Sequence, residues 1–216
     1  MIRKLFKTHK GQRGITGLET AIILIAFVVV AAVFAYTALS AGLFSTQKGQ
    51  EAVYSGLREA QSTLELRGNV IATAGTEGAE DTGTVKLISF TVSNVLGGEA
   101  IDFTGPTANG TSGIAHSVNS TNKVVINYID KNQTVNDLYW TVTKLGNADD
   151  DDLLEDSEKF QINIGNTSTG GTLLNALDPD LSANQQFSLV VQTPVGAVLE
   201  IERTTPAYID NIMNLR

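Results

Sequence analysis

The chain has 216 residues, enough for one domain of ordinary size plus an extension. It has no cysteine and two histidines, so disulfide frameworks, thiolate metal sites and cysteine nucleophiles are excluded, and a Ser-His-Asp triad or multi-histidine metal site has no support. The net charge is −8 and no basic patch lies beyond residue 14, which argues against nucleic acid as a partner. Nothing in this composition reads as an enzyme; no catalytic residue, metal or cofactor is assigned.

Residues 1–14 carry five positive charges, Arg3, Lys4, Lys7, Lys10 and Arg13, and no acid. Beyond them, ten basic residues stand against 23 acidic ones, a balance of −13. Basic residues beside an apolar span stay on the cytoplasmic side, so the acidic bulk is expected outside the cell. Next come 28 consecutive uncharged residues between Glu19 and Lys48. As a secretory h-region this run is too long, although Ala38-Leu39-Ser40 could pass for a cleavage site. As a plain membrane anchor it fits, since 28 helical residues span about 42 Å against a hydrocarbon core of about 30 Å.

A third reading uses details that the other two leave idle. The segment Arg13-Gly14-Ile15-Thr16-Gly17-Leu18-Glu19-Thr20 ends a basic leader in glycine, places one carboxylate five residues further on, and runs without interruption into AIILIAFVVVAAVFAY. This resembles the class III signal peptide of type IV pilin-like proteins, and the region 11–70, including Gln47-Lys48-Gly49-Gln50-Glu51, resembles most the archaellins, the flagellins of archaea. The resemblance implies that a prepilin-type signal peptidase cuts between Gly14 and Ile15, that residues 1–14 are removed, and that Glu19 becomes the fifth mature residue. It also implies a β domain of immunoglobulin-like architecture carried on the helix.

The residues themselves support that layout. Past Lys48 the helix turns amphipathic, with Val53, Leu57, Ala60 and Leu64 in one stripe and Gly68 as its stop. The stripe can pack on the chain's own head domain, on neighbouring subunits, or on both. The sequence thus predicts a helix over 15–67, a Gly/Thr-rich linker over 68–83 and a β domain over 84–216. In the last, apolar residues alternate at Ile88, Phe90 and Val92; at Val124, Ile126 and Tyr128; at Leu138, Trp140 and Val142; at Phe160, Ile162 and Ile164; and at Phe187, Leu189 and Val191. Leu199 and Ile201 alternate with Glu200 and Glu202. Gly97-Gly98, Asn109-Gly110 and Gly170-Gly171 punctuate them. The fold class expected is α+β, a long N-terminal apolar helix followed by an antiparallel β-sandwich.

Four N-x-S/T sequons begin at Asn109, Asn119, Asn132 and Asn166, all in the head and none in the helix. A chain rich in Asn, Ser and Thr makes sequons by chance, but their clustering and turn-like settings mark them as glycosylation sites, in line with the glycoproteins that the resemblance implies. The run Asp149-Asp150-Asp151-Asp152, followed by Glu155, Asp156 and Glu158, invites a calcium reading. It lacks EF-hand spacing and the turn glycine, so a solvated loop is expected. Asp178-Pro179-Asp180 reads as a turn and His116 as a loop residue. Glu19, at the edge of an apolar span, is costly if charged and unpaired. The resemblance gives it an assembly role against the amine of Ile15, whereas the helix N-terminus alone would also favour it.

The chain therefore reads as a structural subunit of the archaeal flagellum filament. It is membrane-inserted as a precursor, then a homopolymer through residues 15–67, and it depends on separate assembly and motor machinery because no GxxxxGK[ST] occurs. The rivals are an adhesive type IV pilin, a membrane-anchored β-sandwich that binds a ligand, and a secreted hydrolase with no positive support.

Overall fold

The computed structural model describes residues 13–79, 82–95, 99–165, 169–196 and 198–215. The chain forms two units, 1–54 and 55–216. The first is one continuous helix within its described part: α1 runs from Arg13 to Gln61, 49 residues, about 74 Å at 1.5 Å per residue. It contains no proline, and Ala and Leu favour it throughout. The hydroxyls of Thr20, Thr37 and Thr46 donate back to the carbonyls of Gly17, Phe34 and Gly42 at 3.1, 2.9 and 2.9 Å, which satisfies polar groups in an otherwise apolar stretch. Among the described residues this is the one helix long and apolar enough to cross a membrane.

The helix ends six residues before the expected Arg67. Gln61 is its last residue, Ser62 N–H closes the final turn on Arg58 O (3.0 Å), and the chain then turns extended as β1, Leu64–Leu66. Leu64, assigned to the helical stripe, instead pairs opposite Asn94 and is buried in the β core. A strand there pairs its backbone with 92–94 and buries the leucine, whereas the last helical turns leave their side chains exposed. The expected linker 68–83 contains a strand: Val70–Thr76 forms β2. Its inward residues Val70, Ala72 and Ala74 are all buried, but two of them are alanine, too weakly apolar to announce a strand.

The remaining elements follow in chain order. They are β3 (Thr84–Asn94), β4 (Ile101–Asp102), β5 (Val125–Asp130), β6 (Thr134–Val135), β7 (Trp140–Leu145), β8 (Leu153–Leu154) and β9 (Lys159–Ile164), then the one-turn helix α2 (Leu173–Ala176), β10 (Gln186–Gln192), β11 (Leu199–Thr204) and β12 (Ile212–Leu215). A six-stranded sheet has the order β12-β2-β3-β9-β7, with β1 also on β3; a four-stranded sheet has the order β11-β10-β5-β6; β4 and β8 pair separately. Every pairing is antiparallel.

The apolar sides of both large sheets share one core, as the period-2 alternation requires. Ile88, Phe90, Val92, Phe160, Ile162, Ile164, Phe187, Leu189 and Val191 are all buried. Val124 and Leu138, expected in strands, lie just outside the observed β5 and β7 and are buried nonetheless. Phe103, in the loop after β4, stands edge-on to Trp140 (5.9 Å, 76°) and to Phe160 (5.8 Å, 78°), a favoured aromatic geometry.

Candidate functional site

The dominant surface feature of the first unit is the helix itself. Leu18, Phe27, Phe34 and Tyr36 are 65–75% exposed, and no charge interrupts residues 20–47. A side chain added at Gly17, Gly42 or Gly49 would meet nothing. Apolar surface on this scale does not stay in water; it takes lipid or other helices as its surroundings. Gly14 and Ile15 lie within the described helix α1. Glu19 is exposed and has no ion-pair partner among the described residues. The first charges beyond the span, Lys48 and Glu51, pair at 2.6 Å.

In the β domain, Asn109, Asn119 and Asn132 are exposed and stand in turns, next to Gly110 (φ 61°), in the 117–119 turn and in the β5–β6 hairpin respectively. The third residues of their sequons, Thr111, Thr121 and Thr134, are exposed as well. Asn166 lies outside the described residues. His116 is a loop residue as expected: its Nδ1 accepts from the N–H groups of Val118 and Asn119, both at 3.3 Å.

The acidic run is an ordered loop. Glu158 is buried, and its carboxylate accepts from the N–H groups of Asp149 (3.1 Å) and Glu155 (3.0 Å). Lys144 donates to Asp150 O (2.6 Å) and lies 3.2 Å from Asp152. Carboxylate oxygens of Asp149, Glu155 and Glu158 come within 4.8 Å of one another; the loop's own N–H groups already engage the buried one.

Sequence reasoning missed Asp130. Its carboxylate accepts from Tyr128 Oη (2.8 Å), from the N–H groups of Asn132 (2.6 Å) and Gln133 (2.9 Å), and from Gln185 Nε2 (2.9 Å). Partial burial works against ionisation, but these hydrogen bonds outweigh it and hold the carboxyl below the usual aspartate range. Burial and the adjacent Asp130 push the Tyr128 hydroxyl up. The signal that could have found this hub is an aspartate two residues before a hairpin turn, a residue type that hydrogen-bonds its own backbone two residues on. A cleft beside it is lined by Ile129, Lys131, Gln186 and Glu202, and its carboxylates are already spent on structural hydrogen bonds.

A bare apolar helix joined to an antiparallel β domain is the architecture of a protein that packs its helix against lipid or other helices. The family profile for archaeal-type flagellin matches residues 14–203. The chain is 35% identical over 211 residues to probable flagellin 1 of Archaeoglobus fulgidus, covering 95% of this chain and 96% of that one. Its structure is similar to that of the archaeal flagellum of Methanospirillum hungatei, with a TM-score of 0.56, 26% identity, and coverage of 92% of this chain and 98% of the other. The crystal structure of archaeal flagellin FlaB1 from Methanocaldococcus jannaschii shares the fold, with a TM-score of 0.50 at 12% identity, over 70% of this chain and 95% of that one. The chain belongs to the archaeal-type flagellins, a family of structural filament subunits for motility rather than enzymes.

Proposed function

We propose that the chain polymerises with copies of itself into the archaeal flagellum filament on the cell surface, with residues 15 to about 61 in the filament core and the β domains outside. The observation that carries this reading is the unbroken, fully exposed apolar surface of α1. Before assembly that surface lies in the membrane, with the basic leader in the cytoplasm; on assembly, helix contacts replace lipid contacts. A prepilin-type signal peptidase removes residues 1–14 by cutting between Gly14 and Ile15. This frees an amine that pairs with the exposed carboxylate of Glu19 on the same or a neighbouring subunit. Assembly and rotation are driven by separate archaellum machinery.

N-linked glycans are carried at Asn109, Asn119, Asn132 and Asn166; the exposure of the first three and of their threonines supports this. Peptides from purified filaments should carry glycan mass on at least two of the four asparagines; unmodified masses at all four would end that part of the reading. The function itself is tested by deleting the gene. Loss of both filaments and swimming, with rescue by the intact chain, is the expected result. Filaments that are made of this chain but stay motionless on tethered cells would make it an adhesive pilin instead.

A further inference from the structure

We propose that the outer face of the six-stranded sheet is a head-to-head contact surface occupied by the β domain of a second copy of this chain. This deepens the filament reading and rests on it.

The register places one aligned row of residues on the outer side across all five strands of the sheet path; Asn214 is exposed, Ile71, Asn163 and Thr141 are half-buried, and Ser89 at the centre is buried between them. Asn214 stands opposite Ile71, Ile71 opposite Ser89, Ser89 opposite Asn163, and Asn163 opposite Thr141. Their sequence neighbours point inward and are buried, among them Met213, Ala72, Ile88, Ile162 and Trp140. The row is uncharged, in a chain that carries ten basic against 23 acidic residues after position 14. Charge on this face stands toward one end, with Glu65 opposite Ser93 and Arg67 donating to the Ser93 hydroxyl (2.9 Å). The face is also ordered in advance. Ser89 Oγ donates to Asn163 Oδ1 (2.7 Å), and Asn163 Nδ2 donates to Thr143 Oγ1 (3.1 Å), so little side-chain freedom is left to lose on contact.

The other large sheet makes the contrast. Its outward residues include Glu200 and Glu202 on β11, to which Ser188 and Gln186 donate. Two such faces meeting would set carboxylates against carboxylates within the roughly 8–10 Å over which salt fails to screen them. The sheet edges differ in the same sense. β11 carries Glu200, Glu202 and Arg203 and β7 carries Lys144, whereas β12, Ile-Met-Asn-Leu, carries no charge and leaves Ile212 68% exposed. Native edge strands are guarded by charge, proline or a covering element; an unguarded one with an exposed isoleucine is suited to being covered. A filament of identical, closely spaced acidic heads supplies the cover, and this is the face on which such heads meet without repulsion. The described sequon asparagines sit in the 103–124 loop and the β5–β6 hairpin, and none belongs to this row.

Because the chain has no cysteine, introduced thiols are unique probes. Asn214→Cys and Thr143→Cys each place a thiol on this face, and Gln192→Cys places one on the outward side of the four-stranded sheet. Filaments from cells expressing each full-length variant are treated with a bulky maleimide, intact and after dissociation. Asn214→Cys and Thr143→Cys should label about tenfold more slowly in intact filaments than in free subunits, because a covered face opens only transiently; Gln192→Cys should label alike in both. A bifunctional thiol-to-amine cross-linker at residue 214 should join two copies of this chain. Labelling of the first two as fast as Gln192→Cys overturns the proposal, as does equal protection of all three or a cross-link to a different protein. Failure of the unsubstituted chain to form filaments would overturn both this and the filament reading, which separates the two failures.

Discussion

Asp130 gathers five donors from three segments, and its position beside the β5–β6 hairpin makes it a pH-sensitive point of the β domain. Its carboxyl is held below the usual range in the folded state. The stability it contributes is therefore present above the unfolded aspartate value of about 3.9 and is lost as pH falls through the folded value. Asp102 is lowered in the same way, by the Thr104 hydroxyl and N–H. Asp137 and Asp180 are raised by burial; they favour protonation between their ordinary and folded values and so oppose the loss at its upper end. Denaturant midpoints should fall as pH drops below about 4, and Asp130→Asn should be less stable at neutral pH with a flatter acid limb. An unchanged acid limb in that variant would remove Asp130 from the account. Trp140 tests packing rather than charge. It is 1% exposed, with Phe103 edge-on against it. Trp140→Ala should cost roughly 3–5 kcal/mol by denaturant unfolding of the detergent-solubilised chain; a loss under about 1 kcal/mol would mean that the site collapses around the gap.

At the scale of elements, the sequence was legible where a single period ran long enough. The 28 uncharged residues could be little other than an apolar helix, and the Leu138-Trp140-Val142 alternation identified a buried face although β7 itself begins only at Trp140. It failed where two periods overlap or where the signal residues are small. Leu64 fits the helical stripe of Val53, Leu57 and Ala60, and what moves it to β1 is the pairing partner β3, more than twenty residues away. Val70, Ala72 and Ala74 are shaped for a tightly covered strand, yet among Gly and Thr they read as a linker. Phe103 has no period at all, following a two-residue strand, and is buried by the ring stack it joins. The helix offers its own test. Val30 is 67% exposed on α1, so Val30→Arg should leave the β domain intact while adding about 2.5–3.5 kcal/mol to membrane insertion. Cell fractions should show the variant missing from filaments, whereas Val30→Leu assembles; normal filaments from Val30→Arg would mean that this position faces neither lipid nor another helix.

For the whole molecule, the division of labour follows from where polar groups can be satisfied. The helix closes its own backbone hydrogen bonds and can exchange lipid for protein without exposing them, while the β domain buries its own apolar core and leaves most of its acids at the surface. On the proposed reading, removal of residues 1–14 connects the two states, since five basic residues beside the apolar span favour the cytoplasmic side. The most direct measurement is the N-terminal sequence of subunits taken from sheared surface filaments. The account predicts this chain as their main protein, beginning at Ile15. Subunits that begin at Met1, or near Ala41 beyond the apolar run, would contradict it.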